Sequence, residues 1–252
     1  MSIIDELLTE LKVDSPVRQV LMGVFWTAVV LDTDPPRCGL ASTLRAETHD
    51  AGMPVPQAGS LLEHSGRELV DWLRSPKTLE ASIGMAAFNA MLEVNEAACT
   101  DLNAEDVILQ KSAGNRVAIV GHFPFIERVR KAAGTCWVLE LHPRHGDLSA
   151  ERANEVLPQA DVVALTGTSL INHTFDDLID LCRPDAFVIL LGASAPLSSV
   201  LFEHGVNAIS GTRVVDVPVV IQAVSQGATY RQIPGKRLLT MIQKGNLNQG
   251  FR

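Results

Sequence analysis

The stretch Arg116–Pro143, RVAIVGHFPFIERVRKAAGTCWVLELHP, decides the fold, because it reads as strand, glycine turn, helix and strand in immediate succession. Val117 to Val120 is a continuous apolar run, as a parallel strand covered on both faces requires, and Gly121 ends it where the backbone must turn sharply. Pro124 suits a first helical position, with Ile126, Val129 and Ala133 at helical spacing, Arg130 and Lys131 near the C-terminus, and Gly134 as the stop. Trp137 to Leu141 is the second strand. It carries Glu140, 19 residues after Gly121, where dinucleotide-binding folds place an acid for a ribose hydroxyl. The turn itself reads Gly-His-Phe-Pro-Phe and not G-x-G-x-x-G. Two glycines that let a pyrophosphate approach the backbone are therefore missing.

Working outward toward the C-terminus, the alternation continues. Ser149 caps a short helix that ends before Pro158, Asp161 to Leu165 is a third buried strand, and Thr174 with Asp177 forms a capping box. Phe187 to Leu191 is the fourth strand, Pro196 opens a helix closed by Gly205, Val206 to Ile209 is the fifth strand, and Asp216 to Gln226 is the last helix. Five strand–helix units predict a doubly wound parallel sheet of the Rossmann-like α/β class over residues 111–252. Toward the N-terminus, Ser2 and Asp5 start a helix whose buried stripe is Ile4, Leu7, Leu8 and Leu11. Arg18 to Leu31 reads as an extended segment, and Asp34-Pro35-Pro36 turns it into a second one, Cys38 to Leu44. Leu61 to Leu73 and Ser75 to Leu92 have helical spacing, the first burying Leu62, Leu69 and Leu73. Segregated strands and helices predict an α+β domain over residues 1–110, with the polar stretch 95–115 as the linker.

Composition bounds the function. Twenty-one basic against 29 acidic residues give a net charge of −8, which argues against a nucleic-acid or anionic-membrane partner. No apolar run is long enough to span a bilayer, and the N-terminus lacks a signal-peptide pattern, so the expected location is cytoplasmic with no membrane partner. Cys38, Cys99, Cys136 and Cys182 are too widely spaced for a C-x-x-C site and read as buried thiols. Symmetric dimers are the commonest assembly, which makes a homodimer the expectation.

Ligands of doubly wound sheets bind at the carboxyl ends of the strands. The loops there are Gly121–Pro124, Thr166–Ser169, Gly192–Pro196 and Ser210–Arg213, all small or polar. Such residues let backbone N–H groups reach a ligand, and they are equally what short turns use for caps.

The strings VAIVGHFPFIERVR (117–130), WVLELHP (137–143), LPQADVVALTGTSLIN (157–172) and FVILLGASAPLS (187–198), with GLAST at 39–43, resemble a bacterial and archaeal family of unknown function named for putative heavy-metal chelation. The resemblance covers nearly the whole chain. It implies an N-terminal domain similar to that of enolase, a Rossmann-like domain after it, and an active site in the cleft between them. Carried over by position, the ligand-binding residues are Ser42, Thr43, Gly121, Phe123, Pro124, Glu140, Thr166, Gly167, Thr168, Asn172, Gly192, Ser194 and Pro196. The implied ligand is a small molecule, with a metal ion or metal–chelator complex ahead of an adenine nucleotide.

The residues themselves name a metal only faintly. His122, His142 and His145, with Glu140 and His173, could gather donors at one edge, but H-x-x-H on a loop does not fix two imidazoles on one face. His204 fits a helix C-terminus, and His49 and His64 stand apart. No nucleophile with a neighbouring base and no phosphate-binding loop is present, and nothing in the sequence pairs Asp147 or Glu140. The last stretch, Tyr230–Arg252, holds Arg231, Lys236, Arg237, Lys244 and Arg252 and no acid, as a tail docked on an acidic body or a partner-binding arm would. Two other function classes therefore stand beside the chelation reading. They are a nucleotide- or S-adenosylmethionine-dependent enzyme and a non-catalytic interaction module.

Overall fold

The computed structural model describes residues 2–45 and 53–243. His49, Lys244 and Arg252 lie outside the described residues. Ser2 accepts the Asp5 N–H and starts α1 (Ile3–Thr9), whose Ile4, Leu7 and Leu8, with Leu11 just beyond, are buried as the stripe requires. The segment expected as one long strand is itself a hairpin. A turn at Gly23, whose N–H donates to the Trp26 carbonyl at 2.8 Å, divides β1 (Val17–Met22) from β2 (Trp26–Leu31), and β3 (Arg37–Ser42) completes an antiparallel meander. The apolar run on both sides of Gly23 hid the turn, because β2 is buried along most of its length.

Two helices cover one face of this sheet. Ser65 and Glu68 form a capping box at the start of α2 (Gly66–Asp71), where the sequence reading began the helix at Leu61; Leu62 lies in the preceding turn and is exposed. α3 (Thr78–Met91) is buried on nearly all sides. It touches the backbone of β3, because a Cβ on Gly39 would sit 2.1 Å from the Ala86 carbonyl oxygen, and only glycine permits that approach.

The stretch read as a polar linker is structured. It holds β4 (Cys99–Thr100) and α4 (Ala104–Ser112), the helix placing Val107 and Ile108 in the core of the larger sheet. β5 (Arg116–Val120), α5 (Ile126–Ala132), β6 (Thr135–Glu140), β7 (Leu148–Ser149) and α6 (Ala153–Val156) follow. Then come β8 (Val162–Thr166), α7 (Thr168–Ile171), α8 (Phe175–Asp180), β9 (Phe187–Leu191), α9 (Val200–Glu203), β10 (Ala208–Val214), α10 (Val217–Ser225) and β11 (Lys236–Ile242). The sheet order is β4-β11-β10-β9-β8-β5-β6-β7, with β5 to β10 parallel and β11 and β4 antiparallel at one edge. An antiparallel β-sheet and helix domain thus precedes a larger, mostly parallel one, the expected enolase-N and Rossmann-like arrangement.

Local starts differ from the sequence reading. α5 begins at Ile126 with Phe125 at its cap and not at Pro124, and α9 begins at Val200 and not at Pro196. Thr174 gives no side-chain cap to α8, because its hydroxyl bonds Asn172 instead. The C-terminal stretch is not a free tail through Ile242. β11 is a paired strand, and Arg237 meets Glu96 at 3.0 Å and Asp101 at 2.9 Å.

One core runs through both domains. Leu7, Val29, Leu69, Ile83 and Phe88 from the first belong to the same apolar cluster as Leu165, Ile171, Phe175 and Leu190 from the second. α10 covers the remaining face of the small sheet, where Val220 and Val224 meet Ala28, Val30 and Leu40.

Candidate functional site

In the parallel sheet, β5 is followed by β6 on one side and, after β7, by β8 on the other. That reversal puts the β5 and β8 turns side by side, the place where doubly wound sheets open a crevice. Gly121 adopts φ +105° there, a backbone shape that glycine allows, with Thr166 Cβ 3.0 Å from where its own Cβ would be. The first domain is joined to the neighbouring turn, after β9, by small polar groups. Ser42 N–H donates to Ser194 Oγ at 2.9 Å, Ser194 Oγ donates to Ser42 Oγ at 3.2 Å, and Asn89 Nδ2 donates to the Leu40 and Ala193 carbonyls at 2.9 and 3.3 Å.

Between the sheets lies a cavity of about 1040 Å³. Its walls come from both domains: Trp26, Ser42, Leu44, Arg45 and Thr78 on one side, and the ends of β5, β6, β8, β9 and β10 on the other. Ser42, Gly121, Phe123, Pro124, Glu140, Thr166, Gly167, Thr168, Asn172, Gly192 and Ser194 all line it, as do His122 and His142. Thr43, Pro196 and His145 are not on its wall. Thr43 is spent on a 2.9 Å hydroxyl contact with Thr27.

The walls are chiefly apolar. Phe123 and Phe125 stack 5.2 Å apart at 7°, and Trp26 meets Tyr230 at 5.3 Å. Burial pushes the Tyr230 hydroxyl up to about 12, and that hydroxyl bonds Thr212. The Trp26 Nε1–H is buried with no acceptor among the described residues, an uncommon condition for an indole. Polar groups are interspersed. Thr166 and Thr168 hydroxyls lie 3.0 Å apart, and Glu140 accepts the Leu141 N–H at 3.2 Å. The Asn172 amide is turned inward, its nitrogen donating to the Ser169 carbonyl at 3.0 Å and the Thr174 hydroxyl at 2.8 Å, so it organises the corner between α7 and α8. Sequence reasoning missed Trp26, Tyr230, Glu105, Leu238 and Thr240 as wall residues. Only the pairing of β11 and the packing of α4 bring the last three there, and neither leaves a sequence motif.

Two family models, both described as "Putative heavy-metal chelation", match residues 4–92 and 103–242, the second being DUF364. The chain belongs to this family. An uncharacterized protein of Methanocaldococcus jannaschii is 25% identical over 219 residues, covering 84% of this chain and 83% of its own. Among solved structures, a DUF364-family protein of unknown function from Desulfitobacterium hafniense DCB-2 is 25% identical with a TM-score of 0.79, and one from Pyrococcus horikoshii is 17% identical with a TM-score of 0.80. Each alignment covers 96% of this chain and 98% of the other. The family's fold is therefore this fold.

The family description implies a metal, and the donors can be tested against it. Among the described residues, no three His, Cys, Asp or Glu side chains come together as a metal ion needs. His173 bonds the Leu73 carbonyl at 2.8 Å, and His122 bonds Asp147 at 3.3 Å. The expected gathering of His122, His142, His145, His173 and Glu140 does not form, because the loop after β6 is folded around Asp147. The four cysteines are free thiols, and burial pushes Cys38 and Cys182 up to about 12, away from the thiolate a metal would require. The described side chains do not fit a metal ion held by protein donors alone. No helix among the described residues is long and apolar enough to cross a membrane.

Proposed function

We propose that the cavity binds a small organic molecule with a large apolar body and a few polar groups, and that metal reaches this protein as a complex with such a chelator. The observation that carries this reading is the mismatch between the space and the donors. A cavity of about 1040 Å³ walled by Phe123, Phe125, Trp26 and Tyr230 is the size of an organic ligand site, while three converging metal donors are absent among the described residues. The family description supplies the link to metal. Neutral hydroxyls of Ser42, Thr166, Thr168 and Ser194 would orient the ligand, and the buried Trp26 N–H would gain from an acceptor on it.

An adenine-nucleotide reading draws less support. Helix α5 has seven residues and no side-chain cap, and Phe123 lies 3.3 Å from the Cβ position of Gly121, in the space a pyrophosphate would use. The interaction-module reading loses part of its motive, since Arg237 is ion-paired and β11 lies within the sheet as far as Ile242. Four free, widely spaced thiols favour a reducing, cytoplasmic setting.

The test is calorimetric titration with Zn²⁺, 4-nitrocatechol and their complex. Binding of the catechol or its complex, with no binding of Zn²⁺ alone, is the expected outcome. Tight binding of the bare ion would contradict the proposal.

A further inference from the structure

His122 follows Gly121 in the β5–α5 turn and lines the cavity, and its ring has one hydrogen-bond partner among the described residues. That partner, Asp147, has a side chain only 1% exposed, while the imidazole is 29% exposed. Asp147 is held on every side. Arg130 Nη2 donates to its Oδ1 at 3.2 Å, the Arg144 N–H donates to Oδ2 at 3.1 Å, and its own N–H donates to the Arg144 carbonyl at 2.9 Å. Arg130 also holds the Gly146 carbonyl at 3.2 Å and Glu127 at 3.0 Å, which fastens the loop to α5. A carboxylate so arranged has only acceptors to offer, so Nδ1 of His122 carries the hydrogen and donates to Oδ2. In the neutral imidazole Nε2 then has a lone pair. It has no partner among the described residues, and the ring that bears it is part of the cavity wall.

We propose that His122 is a specificity residue, presenting Nε2 as a fixed hydrogen-bond acceptor to a hydroxyl or N–H on the ligand, with Asp147 as the residue that positions it. This rests on the cavity being a ligand site. The ligand class narrows accordingly to molecules with an apolar body and a donor group that metal binding leaves in place, such as the N–H of a hydroxamate, while a catechol offers its hydroxyl to Nε2 only in the metal-free form. An ether at the same place leaves Nε2 unsatisfied and loses the bond.

Two measurements separate this claim from the one beneath it. Histidine ¹⁵N NMR of the full chain, assigned with His122→Gln, reads the tautomer without any ligand. Nδ1–H is expected in the wild type, and a mixed or Nε2–H signal in Asp147→Asn, where the amide can donate to the ring as well as accept. An Nε2–H tautomer in the wild type overturns the proposal outright. Binding of 4-nitrocatechol is then compared with that of its dimethyl ether. The catechol should bind about tenfold more tightly to the wild type, with the preference lost in His122→Phe. Equal binding of the two by the wild type overturns the specificity role and leaves the cavity reading standing. Binding of neither, with the Nδ1–H tautomer present, overturns the cavity reading and with it the role.

Discussion

At the scale of single residues, the joint between the two domains depends on atoms too small to leave a strong sequence signal. A Cβ on Gly167 would lie 2.4 Å from the Ala195 backbone nitrogen, so Gly167→Ala must push two turns of the cavity wall apart. We expect a loss of about 1–3 kcal/mol in urea unfolding. Ser194→Ala strips the acceptor from the Ser42 N–H and should cost about 1–3 kcal/mol, measured the same way. Small loop residues at strand ends were legible as a group, because the rule that ligands sit at carboxyl ends needs only the strand pattern. Asp147 as the partner of His122 was not legible. The two are 25 positions apart, and a loop conformation held by Arg130 and not by any motif brings them together.

At the scale of elements, long apolar runs declared themselves and short or half-exposed ones did not. β5, β8 and β9 are buried on both faces and were read directly from their runs of Val, Ile, Leu and Ala. β4 and β7 have two residues each, too few for any period to show. β11 is exposed or half-exposed over its first three residues and buried only from Leu239 on, and five basic residues around it suggested a tail. Its hold on the sheet can be tested at Thr240, which is 1% exposed. Its hydroxyl contacts Ser210 Oγ at 2.7 Å and donates to the Leu102 carbonyl at 2.7 Å, tying β11 to β10 and to the segment before α4. Thr240→Val should destabilise by about 1–3 kcal/mol through the stranded Leu102 and Ser210 groups. A thermal midpoint unchanged from the wild type would show that these bonds contribute nothing.

At the scale of the whole molecule, the shared core makes a specific demand. Because Ile83 and Phe88 of α3 belong to the same apolar cluster as Ile171 and Phe175, the domains should unfold together, giving one calorimetric transition. Two resolved transitions would contradict that. The surface adds a pH dependence. Side-chain hydrogen bonds from Arg116, with its backbone N–H and Arg183, hold the Asp161 carboxyl well below the usual carboxylate range. A lowered folded-state value contributes stability that is complete above the unfolded value of about 3.9 and is lost as pH falls through the folded value. Asp161→Asn should therefore cost no more than about 1 kcal/mol at neutral pH, since solvent screens this partly exposed group, and the difference should vanish in strong acid.

What occupies the cavity decides what the protein does. The most direct measurement is calorimetric titration of the Zn²⁺–4-nitrocatechol complex into the wild type and into Thr168→Trp, which places an indole in the cavity, with circular dichroism showing that the variant is folded. Binding to the wild type that is lost in the folded variant is the predicted result. Equal binding to both, or binding of Zn²⁺ alone with the affinity of its complex, would contradict it.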